Sequence, residues 1–281
     1  AYRKRLLAGP AYRGLAGVLA QAGADASKLA ALGAPVIAVT GNIKFDARPA
    51  PRQLLQGRTW RRLARGPVLM LASSREGEED AFVQALRAHA AAPGSAPRSS
   101  YQVLIVPRHT QRAETLTRQL QSAGWSVSRR SQWTDRPQPA DIWLGDSMGE
   151  LALYYALSDV ALLGGSFAPF GGQNLIEAAA CACPIVLGPH TFNFDEAAQW
   201  ALAAGAAKQA SGMHDALAQA FGWIGDADAL TDARQRCLGF AGAHHGATAR
   251  TTTAVLEHLQ ARAPARVPPL QQALIRPDVD P

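Results

Sequence analysis

Residues 146–194 read DSMGELALYYALSDVALLGGSFAPFGGQNLIEAAACACPIVLGPHTFNF, and this stretch is the strongest indication of the fold. Two apolar runs typical of buried strands, 160–163 and 184–187, each end in a glycine-bearing turn. Between them lie a loop with four glycines and a helical segment that carries Glu177. Glycine lets backbone N–H groups approach an anion closely, and a helix N-terminus adds unpaired N–H groups and a favourable dipole. Because a carboxylate one turn into such a helix can hold ribose hydroxyls, the stretch predicts a sugar-nucleotide site.

Strand-like and helix-like segments alternate along the rest of the chain. The pattern predicts strands at 36–39, 68–71, 103–106, 125–128 and 141–144, helices at 78–91 and 112–123, and a helical and turn segment over 15–32. Several further helices are predicted to run on to about residue 259. This alternation predicts an α/β fold, with a doubly wound, mainly parallel sheet that is covered on both faces.

Polar and glycine-rich motifs directly follow four of the predicted strands. They are Ser73–Ser74, Pro107–Arg108, Gly164–Gly165–Ser166 and Gly188–Pro189–His190. In a doubly wound sheet the ligand lies beyond the carboxyl ends of the strands, so we expect all four motifs at one edge. The guanidinium of Arg108 could pair there with a phosphate or a carboxylate, or else form a structural ion pair.

A second polar cluster, at the start of the helix predicted over 78–91, leaves two interpretations open. Its members are Ser73, Ser74, Glu76, Glu78 and Glu79. A serine followed three or four residues later by glutamate is an ordinary helix-capping arrangement. The same side chains could instead contact a ligand.

The net charge of +6 comes almost wholly from arginine, since only 4 of the 28 basic residues are lysines and 24 are arginines. Arg58, Arg61, Arg62 and Arg65 form the densest group. Two explanations stay open: an alanine- and arginine-rich composition, or attraction to anionic lipid headgroups. No nucleic-acid motif accompanies the charge, so nucleic acid is not expected as a partner. No apolar run approaches the roughly 20 residues that span a bilayer, so no transmembrane segment is predicted.

The three cysteines predict neither disulfides nor a metal site. Cys181 and Cys183 lie in an apolar helix end without a further ligand at zinc spacing, and the odd count opposes full pairing. Buried reduced thiols are expected, which suits the cytoplasm.

The motifs of residues 146–194 resemble those of the Kdo (3-deoxy-D-manno-octulosonic acid) transferases, which build the inner core of lipopolysaccharide. The family pattern runs D-x-M-G-E-L, G-G-S, a second Gly-Gly before H-N-x-x-E, and G-P-H-x-x-N-F. Its counterparts here are Asp146 with 148–151, 164–166, 171–174 with Glu177, and 188–190 with 193–194. Family-like pieces also occur at 40–46, 72–79 and 106–109. Gln173 and Arg75 depart from the pattern, because each stands where the family more often has histidine.

The resemblance implies the carboxyl-terminal half of a GT-B fold, with two Rossmann-like domains in the whole enzyme. On this basis the predicted organisation is a remnant of the acceptor domain at 1–46, a connector at 47–66, a donor-binding domain at 67–260 and a Pro-rich tail at 261–281. The implied reaction transfers Kdo from CMP-Kdo to a lipid A precursor at the cytoplasmic face of the inner membrane, on which the protein is peripheral. No cofactor or metal is implied beyond the donor substrate.

The resemblance also implies individual roles. The positions expected to hold CMP are Pro107, Arg108, Met148, Gly149, Glu150, Asn174, Leu175, Ile176 and Glu177. Lys44 matches a lysine that stabilises charge on the departing phosphate. The alternative role for Lys44 is an interdomain salt bridge. The alternative role for Glu177 and for Glu150 is a charge interaction with a helix N-terminus. The general base is expected in the missing first half, so the isolated chain is predicted to bind donor without turnover. A GT-B enzyme with a UDP-sugar donor and a non-catalytic fragment remain as alternatives.

Overall fold

The computed structural model of the chain describes residues 9–46 and 48–262. The described residues form two compact units, one from residues 9–42 together with 246–262 and the other from residues 43–245. These bounds differ from the predicted four-part organisation, which stays a prediction. The predicted Pro-rich tail lies outside the described residues, apart from its first two positions.

The first unit contains a β-α-β arrangement and a helix from the end of the chain. Strands β1 (Val18–Ala20) and β2 (Val36–Val39) pair in parallel, and helix α1 (Gly23–Ala31) connects them. Helix α10 (Ala247–Arg262) belongs to the same unit. Its Arg250 Nε donates to the Thr40 carbonyl at 3.0 Å, and the Thr251 and Thr40 hydroxyls lie 3.0 Å apart.

The second unit is a seven-stranded sheet in which every neighbouring pair is parallel, as the sequence predicted. Its strands are β3 (Val68–Ser74), β4 (Gln102–Pro107), β5 (Val127–Arg129), β6 (Ile142–Leu144), β7 (Val160–Leu163), β8 (Ile185–Leu187) and β9 (Ala207–Gln209). The spatial order is β5-β6-β4-β3-β7-β8-β9. The order reverses between β3 and β7, and such a switch point is where α/β sheets bind ligands.

Helices cover both faces of this sheet. They are α2 (Pro51–Arg61), α3 (Glu78–Ala91), α4 (Ala113–Ser122), α5 (Leu151–Leu157), α6 (Ile176–Ala180), α7 (Asp195–Ala203), α8 (Met213–Ile224) and α9 (Ala227–Ala243). Alternate residues of β3 enter two different apolar cores, Met70 with Leu104 and Leu163 on one face, Leu71 with Ile105 on the other. Because both faces are buried, the central strands are continuous apolar runs.

Three elements differ from the sequence-based expectation. The segment predicted as a connector contains helix α2, whose Pro51 occupies the first turn, where a missing N–H costs nothing. Strand β1 lies within the segment predicted as helix and turn. Strand β9 lies in the region where only helices were expected.

Helix α2 is held by close packing against α5. A Cβ atom on Gly57 would lie 2.4 Å from the Leu153 carbonyl oxygen, so only glycine permits this approach. Gly57 and Trp60 are the buried residues of the helix, whereas most of its other side chains are polar. The helix therefore depends on tertiary contacts that its sequence pattern does not reveal.

Candidate functional site

The four motifs that follow strands meet at the carboxyl edge of the sheet. Backbone N–H groups of Arg108 and Gly164 donate to the carbonyls of Ser74 and Ala72, at 3.0 and 2.7 Å. The N–H of His190 donates to the Ser166 carbonyl at 3.0 Å. Backbone hydrogen bonds thus connect the ends of neighbouring strands across the switch point, from β4 through β3 and β7 to β8.

Glu78 fixes the loop over 164–172, called the glycine loop because it contains four glycines, at this edge. Its Oε2 accepts the N–H of Arg75 at 2.8 Å and that of Gly165 at 2.7 Å, and its Oε1 accepts those of Phe167 at 3.1 Å and Ala168 at 3.3 Å. The side chain is 2% exposed. One buried carboxylate therefore holds three N–H groups of the loop in a single arrangement, although these residues lie 87 or more positions further along the sequence than Glu78.

Glu79 performs a related task on the neighbouring strand. It accepts a hydrogen bond from the Ser74 hydroxyl at 2.8 Å, and two from the Arg112 guanidinium at 2.7 and 3.2 Å. The residue at the N-terminus of α3 is Gly77, with φ of 86°, and no serine caps that helix. The Ser/Glu cluster thus orders the ends of the strands, a role that neither of the two sequence-based interpretations included.

The loop over 146–150 is anchored by its two carboxylates. Asp146 accepts hydrogen bonds from the Ser131 backbone N–H at 2.8 Å, its hydroxyl at 2.6 Å and Arg129 Nε at 2.8 Å. Burial raises the pKa of Asp146, but these donors outweigh it and leave the pKa below its ordinary value. Glu150 accepts from Arg130 at 2.8 Å and from the Ser147 hydroxyl at 2.5 Å.

Between these anchors, Met148 and Gly149 project from the edge. Met148 is 77% exposed, and Gly149 has a φ of 74°, in the left-handed region that favours glycine. Gln53 of α2 donates to the Gly149 carbonyl at 2.7 Å. The sequence analysis did not predict this contact, because Gln53 lies in the segment predicted as a connector.

Helix α6 begins behind the glycine loop. The Asn174 carboxamide oxygen accepts the Ile176 N–H at 3.1 Å, and Leu175 and Ile176 are buried in the core. Glu177 follows on the first turn and is half-buried. Burial raises the pKa of Glu177 above its ordinary value, since removal from water disfavours the charged form.

Two basic side chains belong to the same part of the unit. The Arg108 side chain is exposed at the end of β4 and forms no hydrogen bond or ion pair with another described residue. Lys44 lies in a 3-10 helix, Ile43–Asp46, and its Nζ is 4.5 Å from the centre of the Phe194 ring. Phe194 closes the G-P-H-x-x-N-F motif, so Lys44 lies beside one of the four motif-bearing loops.

The structure thus brings the sequence-predicted residues to one edge, but with unequal freedom to contact a ligand. Arg108, Met148, Gly149 and Glu177 have exposed or half-exposed groups there. Pro107, Leu175 and Ile176 are buried and can act only through the backbone. Both carboxylate oxygens of Glu150 already have partners within the chain. Among residues 9–46 and 48–262, no group of three His, Cys, Asp or Glu side chains could hold a metal ion.

Comparison with known proteins agrees with this architecture. The chain is 43% identical over 250 residues to the 3-deoxy-D-manno-octulosonic acid transferase of Bordetella pertussis, an alignment that covers 89% of the chain. The chain is a homologue of the Kdo transferases. It is 34% identical over 183 residues to the enzyme of that name from Haemophilus influenzae. No protein-family model matches the chain. The alignments cover 58% of the Bordetella protein and 42% of the Haemophilus one, so the chain spans about half the length of these curated relatives.

Solved structures define the relationship further. The carboxyl-terminal CMP-Kdo binding domain of WaaA from Acinetobacter baumannii matches with a TM-score of 0.59 and 26% identity, over 71% of this chain and 98% of that domain. HepE of Anabaena in complex with UDP-glucose matches at 15% identity with a TM-score of 0.56, over 92% of this chain and 67% of that protein. The second likeness concerns the fold alone. The chain thus has the carboxyl-terminal architecture of a GT-B glycosyltransferase, as the sequence predicted.

Proposed function

We propose that this chain carries the donor half of a Kdo transferase, and that the carboxyl edge of its large sheet binds the CMP moiety of CMP-Kdo. The observation that carries the proposal is the match to the WaaA domain, which is described as CMP-Kdo binding and is covered almost completely. The whole protein would transfer Kdo from CMP-Kdo to a hydroxyl of a lipid A precursor at the cytoplasmic face of the inner membrane.

The contacts of the site suggest how the donor is held. Arg108, whose side chain has no partner among the described residues, pairs with the phosphate or with the Kdo carboxylate. Met148 and Gly149 flank the cytosine through backbone groups, and Gln53 and Glu150 keep that loop in position. Glu177 accepts hydrogen bonds from the ribose hydroxyls at the start of α6.

The glycine loop and Lys44 act on the phosphate and the leaving group. Loop N–H groups that Glu78 does not bind are donors for phosphate oxygens. As the bond between Kdo and CMP breaks, negative charge grows on the departing phosphate. A positioned ammonium, that of Lys44, stabilises this charge in the transition state. We expect the general base that activates the acceptor hydroxyl in the part of the curated relatives that this chain does not span.

Isothermal titration calorimetry with CMP tests the proposal. We expect CMP to bind the folded chain more tightly than UMP does, and Glu177→Ala to weaken CMP by about tenfold, as expected for the loss of hydrogen bonds to a charged group. Asp228→Ala is the control, because Asp228 is an exposed carboxylate at the start of α9, away from the carboxyl edge of the sheet. Preference for UMP would favour a UDP-sugar enzyme, and no nucleotide binding by folded protein would favour a non-catalytic fragment.

A further inference from the structure

A cavity of about 320 Å³ opens on the second unit, at the amino-terminal edge of its sheet. Ser158, which directly precedes β7, and Cys181 and Ala182, which precede β8, form part of its wall. The candidate donor site lies beyond the opposite, carboxyl ends of the same strands. The cavity is therefore a separate feature, which the proposed transferase chemistry does not use.

Four arginines line this cavity: Arg58, Arg61, Arg62 and Arg234. One carboxylate, that of Asp159, partly balances them. Its Oδ2 accepts a hydrogen bond from Arg61 Nε at 2.5 Å, and its Oδ1 accepts one from Arg234 Nη2. Four guanidinium charges less one carboxylate leave a formal charge of +3 around the opening.

Asp159 also fixes the positions of the two guanidinium groups that it pairs with. Its Oδ2 accepts the Val68 backbone N–H at 2.7 Å, so the carboxylate is anchored to the first residue of β3. Asp159 is 4% exposed, whereas the side chains of Arg61 and Arg234 keep 30% and 38% of their surface. Each guanidinium has five N–H donors and gives only one of them to Asp159. The four other N–H donors of each guanidinium do not bond to Asp159, although the pairing fixes their positions.

The other two arginines have even less compensation. Neither Arg58 nor Arg62 forms an ion pair with another described residue, and Arg62 Nη2 donates to the Thr59 hydroxyl at 3.5 Å. Tyr155 also lines the cavity, and its buried hydroxyl has no hydrogen-bond partner in the described part of the chain. The cavity wall thus contains many more hydrogen-bond donors than acceptors.

We infer that this cavity is a second anion site that binds a phosphate group. Planar guanidinium forks match phosphate oxygens in pairs, and Arg58 and Arg62 form no ion pair with a carboxylate of the described residues. The volume lies at the lower end of the roughly 300–1,000 Å³ typical of small-molecule sites, which suits a phosphate ester. The phosphate can belong to a soluble ester or to a phospholipid headgroup.

Calorimetric titration with inorganic phosphate at constant ionic strength tests the inference, in protein saturated with CMP so that the carboxyl edge is occupied. We expect phosphate to bind, and the double substitution Arg58→Glu with Arg62→Glu to weaken it at least about tenfold, since charge-assisted hydrogen bonds are lost. Arg118→Glu with Arg136→Glu is the control, because it changes the net charge equally at exposed positions that do not line the cavity.

Three results would overturn the inference: no phosphate binding by the unmodified protein, unchanged binding by the cavity variant, or equal loss in both double variants. If the glutamate variant does not fold, as judged by circular dichroism, Arg58→Gln with Arg62→Gln replaces it and is expected to show the same loss. The comparison of variants is informative even if CMP does not bind, so failure of the proposed donor site would be recognised separately.

Sedimentation with vesicles then identifies the source of the phosphate. If vesicles of phosphatidylglycerol carry down the unmodified protein and the control but not the cavity variant, while phosphatidylcholine vesicles carry down none, the ligand is a lipid headgroup. If phosphate binds in solution but the cavity variant sediments like the control, the ligand is a soluble phosphate ester. Both outcomes support the anion site.

Discussion

Replacing Glu78 by glutamine would test whether one carboxylate holds the glycine loop in place. Each carboxylate oxygen accepts two backbone N–H groups, the closer pair on Oε2 and the longer pair on Oε1. Glutamine has one acceptor oxygen and one NH2 group. Whichever way its amide turns, two N–H groups face another donor and lose their acceptor.

The geometry sets the size of the effect. The amide nitrogen will take the place of Oε1, because the bonds to Phe167 and Ala168 are longer, at 3.1 and 3.3 Å, than those on Oε2. A hydrogen bond to a charged group contributes about 1.5–3 kcal/mol, so two bonds at the lower end amount to ~3 kcal/mol. The urea midpoint should then fall by on the order of 1 M.

Urea unfolding followed by tryptophan fluorescence measures this loss, and Glu114→Gln is the isosteric control on an exposed surface. The control should change the free energy of unfolding by less than about 1 kcal/mol, as surface ion pairs do. The reasoning would be refuted if the free energy of unfolding of Glu78→Gln were within about 0.5 kcal/mol of that of the unmodified protein. The loop would then be held by its own backbone conformation and not by the carboxylate.

Two further predictions concern Glu177 and the glycine loop. Burial raises the pKa of Glu177, so between its ordinary and its raised pKa the folded chain binds more protons than the unfolded chain, and stability falls as pH rises through that window. Glu177→Gln should therefore melt at a higher temperature than the unmodified protein at pH 7, and the difference should vanish below about pH 4. An unchanged melting temperature at pH 7 would contradict this. Gly164→Ala should cost about 1–3 kcal/mol, because its Cβ atom would lie 2.6 Å from the Ser73 carbonyl oxygen and from Ser74 Cα. The control Gly239→Ala, in the middle of α9 with open space around it, should instead stabilise the protein by about 0.5–1 kcal/mol in the same unfolding assay, and equal effects of the two substitutions would show that the strand contact is unimportant.

The central strands were predictable because both of their faces are buried. Strands β4, β7 and β8 agree with the apolar runs to within two residues at each end, and helix α3 has the predicted bounds. The parallel order and the shared edge then followed from the alternation of strands and helices. Strand β9 was not predicted because it has three residues at the edge of the sheet, and two of them, Lys208 and Gln209, are polar and at least partly exposed. Such a segment lacks both signals on which strand prediction depends.

Side-chain roles were harder to predict than strands. Positions after strands placed Arg108 and the loop before Glu177 at the carboxyl edge, since topology alone does so, and their roles in binding stay predictions. The tasks of Glu78 and Gln53 depend on partners 87 and 96 positions away, which no local pattern encodes. The same limit applies to Glu150, where both oxygens are occupied by residues of the chain itself. The carry-over of a ligand-binding role to that carboxylate stays a prediction.

Helix α10 has a consequence for synthesis of the protein on the ribosome. Its contacts to Thr40 and to the Ala16 carbonyl, which accepts a hydrogen bond from Arg262 at 2.7 Å, join segments more than 200 residues apart. The second unit, which is continuous in sequence, can fold as soon as residue 245 has left the exit tunnel. The segment over 9–42 can complete its unit only after α10 has emerged. Chaperones should therefore hold nascent chains stalled near residue 245 by residues 9–42.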